Sequence, residues 1–246
     1  MGTRFELLLA GVDPDPAEAC WDAVTTVLET FDAPLNRFDP HSEVALFNAR
    51  RDPSPMRVGP VLDEVLHLCG RYFELTEGLF DPTRGDFCDL EFSDEGVSRR
   101  HVGLTLDFGG FAKGFALRRI GERLRAAAVE SAFVDFGGSS ILALGSHPWG
   151  ACWRVSLTNP WTGASLRDFE LRDRALSTSG NTPAYTGHIV DPTSGRRIDG
   201  RRMATVVAED ALDAEVLSTV LMIADAERRE RILARFPQAS GEIYEL

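Results

Sequence analysis

The order of apolar patterns predicts an α+β fold. Strand-like stretches flank every helical one without settling into a regular βαβ alternation. Two of them, Thr105 to Phe108 and Ser131 to Phe136, run into paired glycines, Gly109-Gly110 and Gly137-Gly138, which suggests backbone at close quarters around one site. No repeat of solenoid period divides the chain. At 246 residues and 43% hydrophobic content it is long enough to bury an adequate core.

In order, Arg4 to Ala10 reads as a strand. Asp15 then caps a helix with Pro16 at its first position, running to about Asp32 with Cys20, Val24, Val27 and Phe31 at helical spacing. A short helical turn is expected over Ser42 to Asn48, and Pro53, Pro55 and Pro60 mark a loop. The next helix spans Val61 to Thr76 and stops at Gly78, where Gly78-Leu79-Phe80-Asp81-Pro82-Thr83 reads as a helix stop and turn. Residues 84–103 read as acidic and irregular. After the strand Thr105 to Phe108, a helix is expected from about Phe111 to Ala127.

The second half is richer in strands: Ser131 to Phe136, Ile141 to Leu144, Trp153 to Leu157, Phe169 to Leu171 and Ala175 to Thr178. Ser177 to Asn181 reads as a hydroxyl-rich turn, and His188 stands at the start of a strand ending in Asp191-Pro192. Met203 to Ala208 is a strand. Asp210 or Asp213 caps a helix to about Ala224, and a charged helix and a short strand close the chain.

A net charge of −12 and a pI near 4.9 argue against a general nucleic-acid surface. The 4 cysteines lack CxxC spacing, so neither zinc nor a disulfide framework is indicated. No window supports a membrane span, and the N-terminus has no adequate apolar signal region. The expected location is cytoplasmic as the sequence stands, or exported if a leader was removed.

Lys113 is the lone lysine among 26 basic residues. It falls in the first turn of a helix opened by glycines, where free N–H groups favour an anion. Without the Lys-Ser/Thr pair this is no P-loop, and by itself the pattern fits a tight turn with a surface lysine better than a binding site. His188 is a candidate base because small polar residues surround it, although lone histidines are more often structural. Glu215 and Thr219 are four apart and share a helix face; their oxygens suit Mg²⁺, or simply complement the helix dipole.

Taken in order, MGT at the start, SEVALFN at Ser42 to Asn48, GLFDPT at Gly78 to Thr83, LDFGGFAKGFA at Leu106 to Ala116, FVDFGGSS at Phe133 to Ser140, LSTSGN at Leu176 to Asn181, HIVDPTSG at His188 to Gly195 and AEVLSTVL at Ala214 to Leu221 resemble the FAD:protein FMN transferase family, also called ApbE-like. The resemblance spans nearly the whole chain. It implies a duplicated T-fold-like α/β sandwich with mainly antiparallel sheets, residues 1–246 forming a single unit of two intertwined halves. It also implies Mg²⁺-dependent transfer of FMN from FAD to a threonine or serine hydroxyl of an acceptor protein, with release of AMP. Met1, Phe38, Leu79, Phe80, Asp81, Asp107, Lys113 and Ile189 would lie along FAD. The metal, Mg²⁺ or alternatively Mn²⁺, would be held by the Gly110 carbonyl, Glu215 and Thr219, and His188 matches the family's candidate base.

The chain departs from the family pattern at three places. Glu215 stands where the family has aspartate, Phe38 where it often has tyrosine, and only residues 84–105 separate GLFDPT from LDFGGFAKG, where the family is longer. Two other activities fit the same residues: an FAD pyrophosphate hydrolase giving FMN and AMP, and a non-catalytic FAD-binding protein.

Overall fold

Strand pairing explains most of the second half of the chain. The computed structural model describes residues 3–246, and Met1 lies outside them. Its principal sheet has six strands in the order β1-β4-β5-β8-β9-β10, every neighbouring pair antiparallel. These are β1 (Phe5–Leu9), β4 (Ala132–Phe136), β5 (Ser140–Leu144), β8 (Arg174–Gly180), β9 (Arg202–Ala208) and β10 (Ala239–Glu245). The helices α1 (Pro14–Leu35), α2 (Glu43–Ala49), α3 (Pro60–Leu75), α4 (Ala112–Ala126), α5 (Ala211–Ile223) and α6 (Ala226–Leu233) complete the α+β architecture. Two small hairpins, β2 (Leu90–Ser93) with β3 (Gly96–Arg99) and β6 (Trp153–Thr158) with β7 (Ser165–Leu171), stand apart from the main sheet.

Strand β5, SILAL, is apolar almost throughout because both its faces are covered. Leu142 and Leu144 join the large helical core, while Ile141 and Ala143 join a second cluster with Trp153, Leu157, Phe169 and Leu171 of the β6–β7 hairpin. Helix α5 is buried almost all round and packs on β8, β9 and α4. Asp210 is its N-cap, accepting from Leu212 N at 2.9 Å, whereas Asp213 accepts a 2.5 Å hydrogen bond from Tyr72 of α3. Glycine makes the α4–α5 approach possible. A Cβ on Gly114 would come within 2.4 Å of Glu215 Cβ and 2.7 Å of the Ala211 carbonyl.

Several expected boundaries change. Helix α1 starts at Pro14 with Asp13 as its N-cap and continues to Leu35, past Asp32. Thr105 to Phe108 joins no ladder, because a side chain replaces the missing strand: Asn48 Nδ2 donates to the Leu106 carbonyl at 2.9 Å and Leu106 N donates to Asn48 Oδ1 at 2.7 Å. Residues 84–103, read as irregular, hold a short 3-10 turn and the β2–β3 hairpin, tied back by a bridge between Met56 and Val97. Ser177 to Gly180 is not a turn but part of β8, paired with β9 throughout and, at Ser177, with β5 as well. The strand expected after His188 is a loop with a single bridge, Val190 to Arg197.

Candidate active site

Three neighbouring segments, the N-terminus of α4, the middle of α5 and the hydroxyl-bearing ends of β5 and β8, enclose one wall of a cavity of about 640 Å³. Leu79, Phe80, Asp81, Asp107, Gly110, Lys113, His188, Ile189, Glu215 and Thr219 all line it. Phe38 does not: its ring is 82% exposed and lies beneath the guanidinium of Arg37, 4.7 Å from the ring centre.

The wall is polar and closely connected. Lys113 Nζ donates to Ser139 Oγ and Ser140 Oγ, each at 2.6 Å, and stands 3.3 Å from Glu215 Oε1. Glu215 is only 4% exposed, so its carboxylate depends on these neighbours for the hydration it has lost. Ser179 Oγ lies 2.8 Å from Ser218 Oγ and 3.1 Å from Thr219 Oγ1. A Cβ on Gly110 would sit 3.0 Å from Thr219 Oγ1, so glycine is what lets the backbone there approach the hydroxyl. Gly137 and Gly138 turn the chain after β4 with φ of 72° and 70°, values that favour glycine.

Opposing charge sits at Asp107. Its carboxylate is ion-paired with Arg37 at 2.9 Å and accepts from Arg84 and from Gly109 N, the latter at 3.0 Å. Both arginines line the cavity, and sequence reasoning missed both. Arg84 directly follows the GLFDPT motif, which is the one signal that pointed to it. Asp81 organises its own turn: Oδ1 accepts from Thr83 N and Thr83 Oγ1, both at 2.6 Å, and Oδ2 accepts from Gly85 N at 2.9 Å. Leu79 and Phe80 are buried behind it.

His188 approaches from the loop after β8. Asn181 shapes that loop, donating through Nδ2 to the Ile198 and Gly200 carbonyls at 3.0 and 2.9 Å and accepting from Gly187 N at 3.1 Å. The imidazole stacks on Tyr185, ring centres 4.1 Å apart, and its Nδ1 is buried without a hydrogen-bond partner among the described residues. Burial lowers its pKa from the ordinary value of 6.5, which keeps the ring uncharged at neutral pH.

The model of the ApbE family matches residues 1–95 and 86–241, two stretches that meet in the segment where the chain is short. The chain belongs to the ApbE family. Among relatives of this ApbE chain, a protein of Vibrio cholerae named FAD:protein FMN transferase is 27% identical over 83% of the chain and 73% of its own length. One of the same name from Chlamydia trachomatis is 23% identical over 85% and 77%. The apo crystal structure of the Pseudomonas stutzeri flavinyl transferase ApbE superposes with a TM-score of 0.82 at 25% identity, covering 98% of this chain and 87% of that one. The Vibrio cholerae flavin transferase ApbE gives 0.83 at 24% identity, covering 98% and 89%, a likeness of fold. Among the described residues no helix is long and apolar enough to cross a membrane.

Proposed function

We propose that this ApbE chain transfers FMN from FAD to a threonine or serine hydroxyl of an acceptor protein and releases AMP. The observation that carries the reading is the convergence of Lys113, Glu215, Thr219 and a neutral His188 on one cavity in a chain of this family. In the reaction the acceptor oxygen attacks the FMN phosphorus. The bridging P–O bond breaks, its electron pair leaves with AMP, and the hydroxyl proton goes to His188.

His188 is suited to that proton because burial holds it in the basic, uncharged form. Lys113 supplies a compact positive charge at the start of α4, where the helix dipole also favours phosphate. Arg37 and Arg84 extend positive charge along the cavity, restrained by Asp107. The Gly110 carbonyl, Thr219 Oγ1 and Glu215 Oε1 are hard oxygen donors that would hold Mg²⁺ or equally Mn²⁺. The donor set fits: Glu215 is buried beside hydroxyls rather than thiols or imidazoles, and its Oε1 faces a positive charge at 3.3 Å. Such an ion would neutralise charge developing on the phosphoryl oxygens.

The test is AMP release from FAD by the purified protein, with and without Mg²⁺, and with and without an acceptor domain bearing an exposed threonine site. Metal-dependent AMP together with flavin covalently attached to the acceptor is the expected outcome. AMP and free FMN regardless of acceptor would make the protein an FAD pyrophosphatase. Intact FAD in every arm would make it a flavin-binding protein.

A further inference from the structure

The longer arm of Glu215 is held, and the hydrogen bonds that hold it come from two strands. Its Oε2 accepts from Ser140 Oγ of β5 at 2.5 Å and from Ser177 Oγ of β8 at 2.8 Å. These serines are direct partners in the β5–β8 register, so their side chains leave the sheet side by side toward α5. Both are buried, at 1% and 2% exposure, and so is the carboxylate they meet.

The direction of the hydrogen bonds is fixed as well. An ammonium can only donate, so Lys113 Nζ at 2.6 Å takes up a lone pair of Ser140 Oγ, leaving that hydroxyl's one hydrogen for Glu215. Oε1, by contrast, has Lys113 Nζ at 3.3 Å and no hydroxyl partner among the described residues. The two oxygens of one carboxylate are therefore made different.

We propose that Ser140 and Ser177 are positioning residues which, as a pair, fix Oε2 of Glu215 and leave Oε1 as the one carboxylate oxygen presented to a divalent cation. The proposal rests on the reading of Glu215 as a metal ligand. A glutamate has one more rotatable bond than an aspartate, and Mg²⁺ demands near-ideal octahedral distances. Anchoring one oxygen to the sheet removes the freedom that the extra methylene adds, which is how a glutamate serves at a place where the family has aspartate.

The experiment measures Mn²⁺ binding to nucleotide-free protein, by the loss of the free-ion electron paramagnetic resonance signal and by calorimetry. It compares the wild type with Glu215→Gln, Ser140→Ala, Ser177→Ala and the double alanine variant. Partners that orient metal ligands are typically worth about 10- to 100-fold in affinity. Glu215→Gln is expected to abolish binding, each serine variant to weaken it several-fold, and the double variant by about tenfold or more. Melting temperature is recorded in EDTA and in Mn²⁺, because a merely structural role lowers the first and leaves the Mn²⁺ affinity of the folded protein alone.

If Glu215→Gln loses the metal while every serine variant binds it within about twofold of wild type, the clamp is overturned and Glu215 stands as a ligand. If Glu215→Gln binds like wild type, or the wild type binds no Mn²⁺, both readings fall. Should the double alanine variant not fold, the Ser140→Cys and Ser177→Cys variants replace it, since a thiol fills similar space but donates weakly. Weakened binding in them supports the clamp, and wild-type affinity overturns it.

Discussion

Burial depresses the pKa of His188 below 6.5, so the imidazole gains its proton only at a pH under that value. A base must be unprotonated to act, and the rate of flavin transfer is therefore expected to fall along an acid limb with its midpoint below 6.5. Replacing His188 by Asn should remove the limb and reduce kcat by about 10²- to 10⁴-fold, measured as AMP released across about pH 5 to 8. Linkage runs the same way. The unfolded chain binds the extra proton more readily, so the contribution of neutral His188 to stability is full above 6.5 and lost as the pH falls through the lower folded value. At this scale the sequence was uneven. Lys113 could be found because it is alone among 26 basic residues, whereas Arg37 and Arg84 were hidden among arginines that look alike in sequence. Ser140 and Ser177 belong beside Glu215 only because a strand register brings them together, and no linear spacing encodes that.

Two elements each lean on one particular residue. The segment Thr105 to Phe108 carries strand-like composition, yet its partner is the amide of Asn48, which satisfies both the N–H and the carbonyl of Leu106. Asn48→Ala should cost about 1–3 kcal/mol by stranding these backbone groups, read from the urea midpoint, while Asn48→Asp keeps the acceptor and loses the donor. Helix α4 rides on α5 through Gly114. Gly114→Ala would force a methyl into space already held by Glu215 Cβ, costing about 1–3 kcal/mol, and should also weaken Mn²⁺ binding by shifting Lys113 and Glu215 relative to each other. Helices were the legible elements, since α3 and α4 announce themselves by apolar spacing, α3 with a glycine stop at Gly78 and α4 with a glycine pair at its start. Strand β8 was read in part as a turn because Ser, Thr and Gly favour turns in isolation. Pairing to β9 along Ser177 to Gly180, joined by β5 at Ser177, overrides that preference.

For the molecule as a whole, the helical core and the cluster beneath the β6–β7 hairpin share the strand β5, whose alternate residues enter each. Heating should therefore unfold the chain in one cooperative step, with calorimetric and van't Hoff enthalpies in agreement. Ligands that bind only the folded form should raise the midpoint, by about 2.7 kcal/mol of stabilisation at a hundred times Kd, and Mg²⁺ with FAD should shift it further than either alone. The α+β class was readable from the order of strand and helix patterns, but the order of strands in the sheet was not, because β1 pairs with β4 across more than a hundred intervening residues. Lys113 has one more consequence, at the bench. As the one lysine in 246 residues, it makes its Nζ the sole side-chain amine open to acylating or reductive-alkylating reagents. Apart from the chain's own terminus, such a reagent would count cavities rather than surfaces, and protection by a bound nucleotide would report occupancy directly.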